Sequence, residues 1–164
     1  MIRTYFKAFQ IGLIAGMRTL TAPALLSHKL VRTIPAKEPQ KPIHWLAQPP
    51  VSMALKVLAG GEIIADKLPN APNRTKAPLL ITRIASGATC GAFVSEVEGQ
   101  SSPLGAVAGG LGAVAATFLF FNLRQLLSDN LGLPDMVGAL AEDALTISAG
   151  WSVVNHIDSR MQSA

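Results

Sequence analysis

One cysteine in 164 residues, Cys90, leaves no partner for an internal disulfide and excludes a metal site built from cysteines alone. It sits in Gly87-Ala88-Thr89-Cys90-Gly91, where it reads as a small buried thiol. Aromatic residues are also scarce, at 5%, so a core of large interlocking rings is not available. The 14 glycines point instead to elements that pack through small residues, as membrane helices do. No strand-like alternation of useful length occurs, which leaves an all-α fold. His28, His44 and His156 lie at spacings that make no metal site. A nucleophile elbow, a phosphate loop and a dinucleotide fingerprint are all missing, so the chain does not read as a soluble enzyme and calls for no cofactor. Its net charge of +4 comes without a basic stripe or interleaved aromatics. That argues for no nucleic acid and for anionic lipid headgroups.

What is present is a series of apolar segments, at about 8–26, 51–65, 79–95, 104–123 and 136–154. The stretch 104–123 runs 20 residues without a charge, the length that spans a bilayer. Arg3 and Lys7 followed by an apolar run imitate a secretory leader, but Arg18 interrupts the run. The segment is therefore read as a first membrane helix, kinked or ended by Pro23. The second segment, near 15 residues, is too short to cross upright and reads as a re-entrant or interfacial half-helix. With that assignment, the loops 28–50, 66–78 and 124–135 fall on one side and hold 8 Lys and Arg, against 3 on the other. The positive-inside rule places the richer side in the cytoplasm. One membrane domain, 1–164, with four crossing helices plus the half-helix is the expected architecture. Gly105, Gly109, Gly112 and Ala116 recur at helical spacing in the fourth segment, as do Gly87 and Gly91 in the third and Gly12 and Gly16 in the first. Such stripes let helix backbones approach closely.

The charges carry the functional signal. Arg18, Glu62, Asp66, Arg83, Glu142 and Asp143 lie inside or at the edges of apolar segments, where ionisable groups are costly and default to function or pairing. Glu62 and Asp66, four apart, share a helix face. Two close carboxylates need a cation between them, and Arg18 and Arg83 are the expected ones. Glu142 and Asp143 are adjacent, so on a helix they address different neighbours. Thr19, Lys67, Arg74, Asn122 and Arg124 form a secondary set around them.

Four stretches, Gly12-Leu-Ile-Ala-Gly16-Met-Arg18-Thr19, Gly61-Glu62-Ile-Ile-Ala-Asp66-Lys67-Leu68-Pro69, Asn73-Arg74-Thr75 and Ala141-Glu142-Asp143-Ala144, resemble a bacterial family catalogued as domain of unknown function 4126. The resemblance covers about residues 8–154 and implies a small integral membrane protein, with no activity and no catalytic residues supplied. Together these readings lead to an expectation of a multi-pass protein of the bacterial inner membrane that transports or permits passage of a small ion or anionic, lipid-linked or free, solute. Arg18 and Arg83 would hold the anionic group, and Glu62, Asp66, Glu142 and Asp143 the coupling cations or protons. The expected partners are the lipid bilayer and either a second copy, as a homodimer, or a larger membrane complex. The competing expectations are a non-catalytic scaffold subunit and a metal-dependent enzyme acting on a lipid phosphate.

Overall fold

The computed structural model describes residues 1–34, 41–66, 77–131 and 135–157, with the backbone alone at 128–131 and 135. Among these residues there are seven α-helices and no strand: α1 (Ile2–Met17), α2 (Thr21–Thr33), α3 (Pro42–Leu46), α4 (Pro49–Ala65), α5 (Ala77–Val97), α6 (Ser102–Leu131) and α7 (Asp135–Asn155). Prolines open α3 and α4, where the missing N–H has no intrahelical partner to lose. The end of α5 is a glycine stop. Gly99 adopts φ 69°, its N–H bonds the carbonyl of Glu96, and the N–H of Gln100 bonds the carbonyl of Ser95 at 2.8 Å. Those two bonds define a Schellman turn, and the left-handed position is why a glycine stands there.

The glycine stripes meet as the spacing predicts. Gly109 of α6 lies against the backbones of Gly87 and Gly91 of α5, and Gly112 against Phe9 and Leu13 of α1. Gly16 of α1 faces Ala113 and Ala116. The helices α1, α5 and α6 thus form a trio in near backbone contact, with α1 and α6 parallel and α5 antiparallel to both.

The first apolar segment is not one helix. The chain leaves helical geometry at Arg18 (φ −140°, ψ 116°) and starts α2 at Thr21. A Cβ built on Gly150 of α7 would lie 2.5 Å from Leu25 Cδ1 and 3.3 Å from Ile14 Cγ2. Residues 14 and 25 would be about 16 Å apart on a straight helix. Both reach one point on α7 because the chain doubles back at Arg18. Pro23 is not the breaker: it occupies the first turn of α2, where proline costs no hydrogen bond.

The reversal also corrects the expected sidedness. The Ser27 hydroxyl donates to the Leu46 carbonyl, and Lys41 lies 3.7 Å from Glu96 at the end of α5. Lys7, near the start of α1, pairs with Glu98 at 2.6 Å. The C-terminal end of α2, the start of α3, the start of α1 and the end of α5 therefore share one end of the bundle. Residues 41–46 lie at the end opposite to the start of α5, not beside it.

Polarity is turned inside out. Arg18, Arg83, Glu142 and Asp143 are buried, while Leu104, Val107, Leu111, Phe118, Leu119 and Leu123 of α6 are exposed. Two helices, α5 and α6 (over 102–127), are long and apolar enough to cross a membrane. An apolar cluster joins the ends of the helices, with Ile11, Ile14, Leu26, Leu30, Val94, Val97 and Val154 in mutual contact.

Candidate functional site

Every α-helix leaves carbonyls without partners at its C-terminus and N–H groups without partners at its N-terminus. The α1–α2 reversal puts both kinds side by side within the bundle, and side chains from other helices answer them. Arg83 of α5 donates through Nη1 to the carbonyls of Gly16 and Met17, the latter at 2.9 Å. Thr117 of α6 donates to Ala113 O at 2.8 Å and reaches Gly16 O at 3.2 Å. On the α2 side, the N–H groups of Thr19 and Leu20 donate to the two oxygens of the Glu62 carboxylate at 2.8 and 2.7 Å. Ser86 donates to the carbonyl of Thr19 at 2.6 Å. A guanidinium thus stands at the negative end of the α1 dipole and a carboxylate at the positive end of α2, the favourable sign in both cases.

Arg18 occupies the turn itself and is 0% exposed. Its Nε donates to Asp143 Oδ1 at 2.7 Å, with Nη2 2.5 Å from the same oxygen, and its Nη1 donates to Asp66 Oδ2 at 2.6 Å. One planar guanidinium therefore ties α4 and α7 to the turn. Only arginine offers donors in that fixed fan while remaining charged when buried. Asp66 is the more open member, with its side chain 18% exposed against 9% for Asp143.

The structure brings Arg18, Glu62, Asp66, Arg83 and Asp143 together from the α1–α2 turn, α4, α5 and α7. The expected arginine bridge between Glu62 and Asp66 is replaced by a division: Arg18 takes Asp66, and Glu62 takes backbone N–H groups. Thr19 joins through its backbone. Glu142 points away from Asp143, as adjacent helical residues must, and lies 3.9 Å from Arg124. Asn122 is exposed on α6 and does not reach the turn. Lys67 and Arg74 lie outside the described residues. Among the described residues, no three His, Cys, Asp or Glu side chains group as a metal site.

Sequence reasoning missed Ser86 and Thr117, ordinary hydroxyls in apolar helices; it did mark Thr21 as a hydrogen-bonding group, and the Thr21 Oγ1 is buried with no hydrogen-bond partner. A signal for the turn existed in Pro23. Proline favours the first turn of a helix, which sets the helix start near Thr21 and leaves Arg18 to Leu20 outside any helix.

Residues 6–156 match the family described as Domain of unknown function (DUF4126), and the chain belongs to that family. No curated protein and no solved structure matches it.

Proposed function

We propose that this member of a family without an assigned activity is a multi-pass protein of the bacterial inner membrane that moves a small ion or anionic solute through the Arg18 turn. The observation that carries the reading is the reversal inside the bundle, with both helix ends and Arg18 held by charged side chains from α4, α5 and α7. Membrane transporters place interrupted helices at their binding sites, because helix ends present aligned N–H and carbonyl groups to charged solutes. Non-helical backbone is tolerated in a bilayer only where protein covers it or where it lines a cavity. Buried ion pairs stabilise no better than apolar packing would, so a fold that gathers five charged residues at one turn has a use for them beyond stability.

In this reading α1, α5, α6 and α7 are the four crossing helices, and α2 with α4 forms a shorter pair inserted from one end. The exposed leucines and valines of α6 face lipid. Coupling follows from exchange of partners: Asp66 and Asp143 share Arg18, and protonation or cation binding at either carboxylate shifts the guanidinium toward the other. A chain this small encloses a pathway with a second copy, so the working unit is a homodimer. Among the described residues, the helix ends on the side that holds Lys41 carry 5 Lys and Arg (residues 3, 7, 29, 32 and 41), against one (124) at the other. The positive-inside rule puts the Lys41 end in the cytoplasm.

The test is flux in proteoliposomes, comparing wild type with Asp143→Asn and Arg18→Lys for protons, chloride, phosphate and small carboxylates. Flux of one of these above protein-free vesicles, lost in Asp143→Asn, is the expected result. Folded wild-type protein with no flux for any solute defeats the reading. A second reading, a scaffold subunit without transport, draws on the fact that Arg18 and Glu62 find their partners within this chain. It predicts a larger native complex after mild detergent extraction and no flux.

A further inference from the structure

We propose that the N-terminus of α2 is a binding site for an oxyanion, a carboxylate or a phosphate, and that Glu62 occupies the ligand's place in this structure. The proposal rests on the transport reading and deepens it by naming the solute class.

Three observations converge. First, Glu62 makes the contacts that a bound oxyanion makes at a helix start: each of its oxygens accepts one backbone N–H, from Thr19 and from Leu20. Second, the site holds a donor that Glu62 leaves unused. Thr21 is the first residue of α2, its residue is only 5% exposed, and its Oγ1 has no hydrogen-bond partner. Helical Cα–Cβ bonds lean toward the N-terminus, so the Thr21 side chain leaves the backbone toward the end where the N–H groups point. A buried hydroxyl without a partner is costly, and a ligand with more oxygens than a single side-chain carboxylate supplies the missing acceptor. A tetrahedral phosphate, or a carboxylate free to shift, meets that need.

Third, the helix that delivers Glu62 is built to let go. Gly60 and Gly61 immediately precede it, and a Cβ on either would meet nothing within 4 Å. The glycines of α1, α5 and α6 named above lie against neighbouring backbone, and close approach explains them. These two do not pack on anything, so what they contribute is a weak point in α4. Glu62 itself is only partly buried, which leaves its place reachable. Replacing its carboxylate with an arriving monoanion leaves the summed charge at the turn unchanged. Arg18 is shared by Asp66 and Asp143 and is not needed to hold Glu62.

The experiment uses the full chain in phosphatidylcholine nanodiscs, titrated with inorganic phosphate and with acetate at constant ionic strength, chloride serving as the control. Binding is read by calorimetry and by the shift of the thermal midpoint. Glu62→Gln removes the charged internal competitor, and tightening of about tenfold is expected, since an occupant that must be displaced lowers apparent affinity by the fraction of time it is in place. Adding Thr21→Val to Glu62→Gln reverses that gain. Gly60→Ala/Gly61→Ala stiffens α4 and weakens binding to the otherwise wild-type chain. A parallel set of nanodiscs containing phosphatidic acid distinguishes the source: saturation by the lipid with no response to the free ions assigns the site to a headgroup, and the converse assigns it to a soluble solute.

Folded Glu62→Gln that binds no more tightly than wild type, or shows no saturable binding of phosphate, acetate or phosphatidic acid, overturns the proposal. If Glu62→Gln does not fold, the Gly60→Ala/Gly61→Ala chain decides: weaker binding supports the site, and unchanged or absent binding overturns it. Binding without flux ends the transport reading and keeps the site, whereas flux indifferent to Glu62→Gln and Thr21→Val does the reverse.

Discussion

The two halves of this bundle are held together by different physics. In the α1–α5–α6 trio, glycine meets glycine and the helices touch backbone to backbone, so the contact is made of many small dispersion terms and tolerates no added atom. Where α2, α4 and α7 join that trio, the connection at the turn is a handful of directed bonds from Arg18 and Glu62. A packed seam has one arrangement. A polar clasp has as many arrangements as there are alternative partners, which is the property a moving site needs. In the transport cycle proposed above, the trio is the frame and the clasped helices are the part that moves.

The largest test of that division is in the frame. Gly109→Leu places a branched side chain where a Cβ alone would already collide with the backbone of Gly87. Neither backbone has room to yield, so a loss of more than about 4 kcal/mol is expected, at the exceptional end for one substitution. It will read as failure to recover folded protein in detergent, or as collapse of the thermal transition. Gly109→Leu protein of wild-type stability would show that the trio is looser than its geometry and remove the frame from the argument.

Next comes the clasp. Arg18→Met removes the cation that Asp66 and Asp143 share, a change expected to cost about 3–5 kcal/mol. Neutralising the acids as well, in Arg18→Met/Asp66→Asn/Asp143→Asn, recovers most of that loss, because removing a whole buried ion cluster is often close to neutral. Stability measured across the three variants separates structure from function: the triple variant should regain its fold and still carry no flux. Regained flux in the triple variant would strip Arg18 of any role but holding helices. Arg83→Met is smaller. It withdraws the donor from two carbonyls at the end of α1, about 1–3 kcal/mol by the cost of unmet buried acceptors, and a thermal scan decides it.

The frame was more legible in the sequence than the clasp, and for a physical reason. Small-residue spacing is periodic, so Gly105, Gly109 and Gly112 announce a face whatever they pack against; α5 starts and stops close to its expected apolar bounds, and α6 starts close to its own but runs on to Leu131. The charged residues were legible as a set because hydrocarbon makes them conspicuous. Their pairing was not. Nothing local in Glu62 says that it will reach across some 40 positions to two N–H groups, since that contact exists only once the chain has turned at Arg18. The turn in turn hid inside an unbroken apolar run, because Thr19, Leu20 and Thr21 look the same to a hydropathy scale in a helix or out of one. With the turn missed, residues 41–46 were placed at the wrong end of the bundle.

The smallest effect sharpens the comparison most finely, because it sets two glycines of one chain against each other. Gly109 and Gly61 both sit inside helices, and each costs roughly 1 kcal/mol relative to alanine in backbone entropy. At Gly109 that cost is offset by a contact no other residue permits. At Gly61 no neighbour lies within 4 Å of the missing Cβ, so Gly61→Ala is expected to raise stability by up to about 1 kcal/mol, read as a rise of a few degrees in the thermal midpoint. A frame glycine cannot be improved in this way, so a stabilising Gly61→Ala marks α4 as the place where the fold gives up stability. If the same substitution also slows flux, that surrendered stability is what lets Glu62 leave the α2 terminus. If Gly61→Ala instead destabilises the chain, something packs against α4 in the membrane, and the helix belongs to an interface and not to a moving clasp.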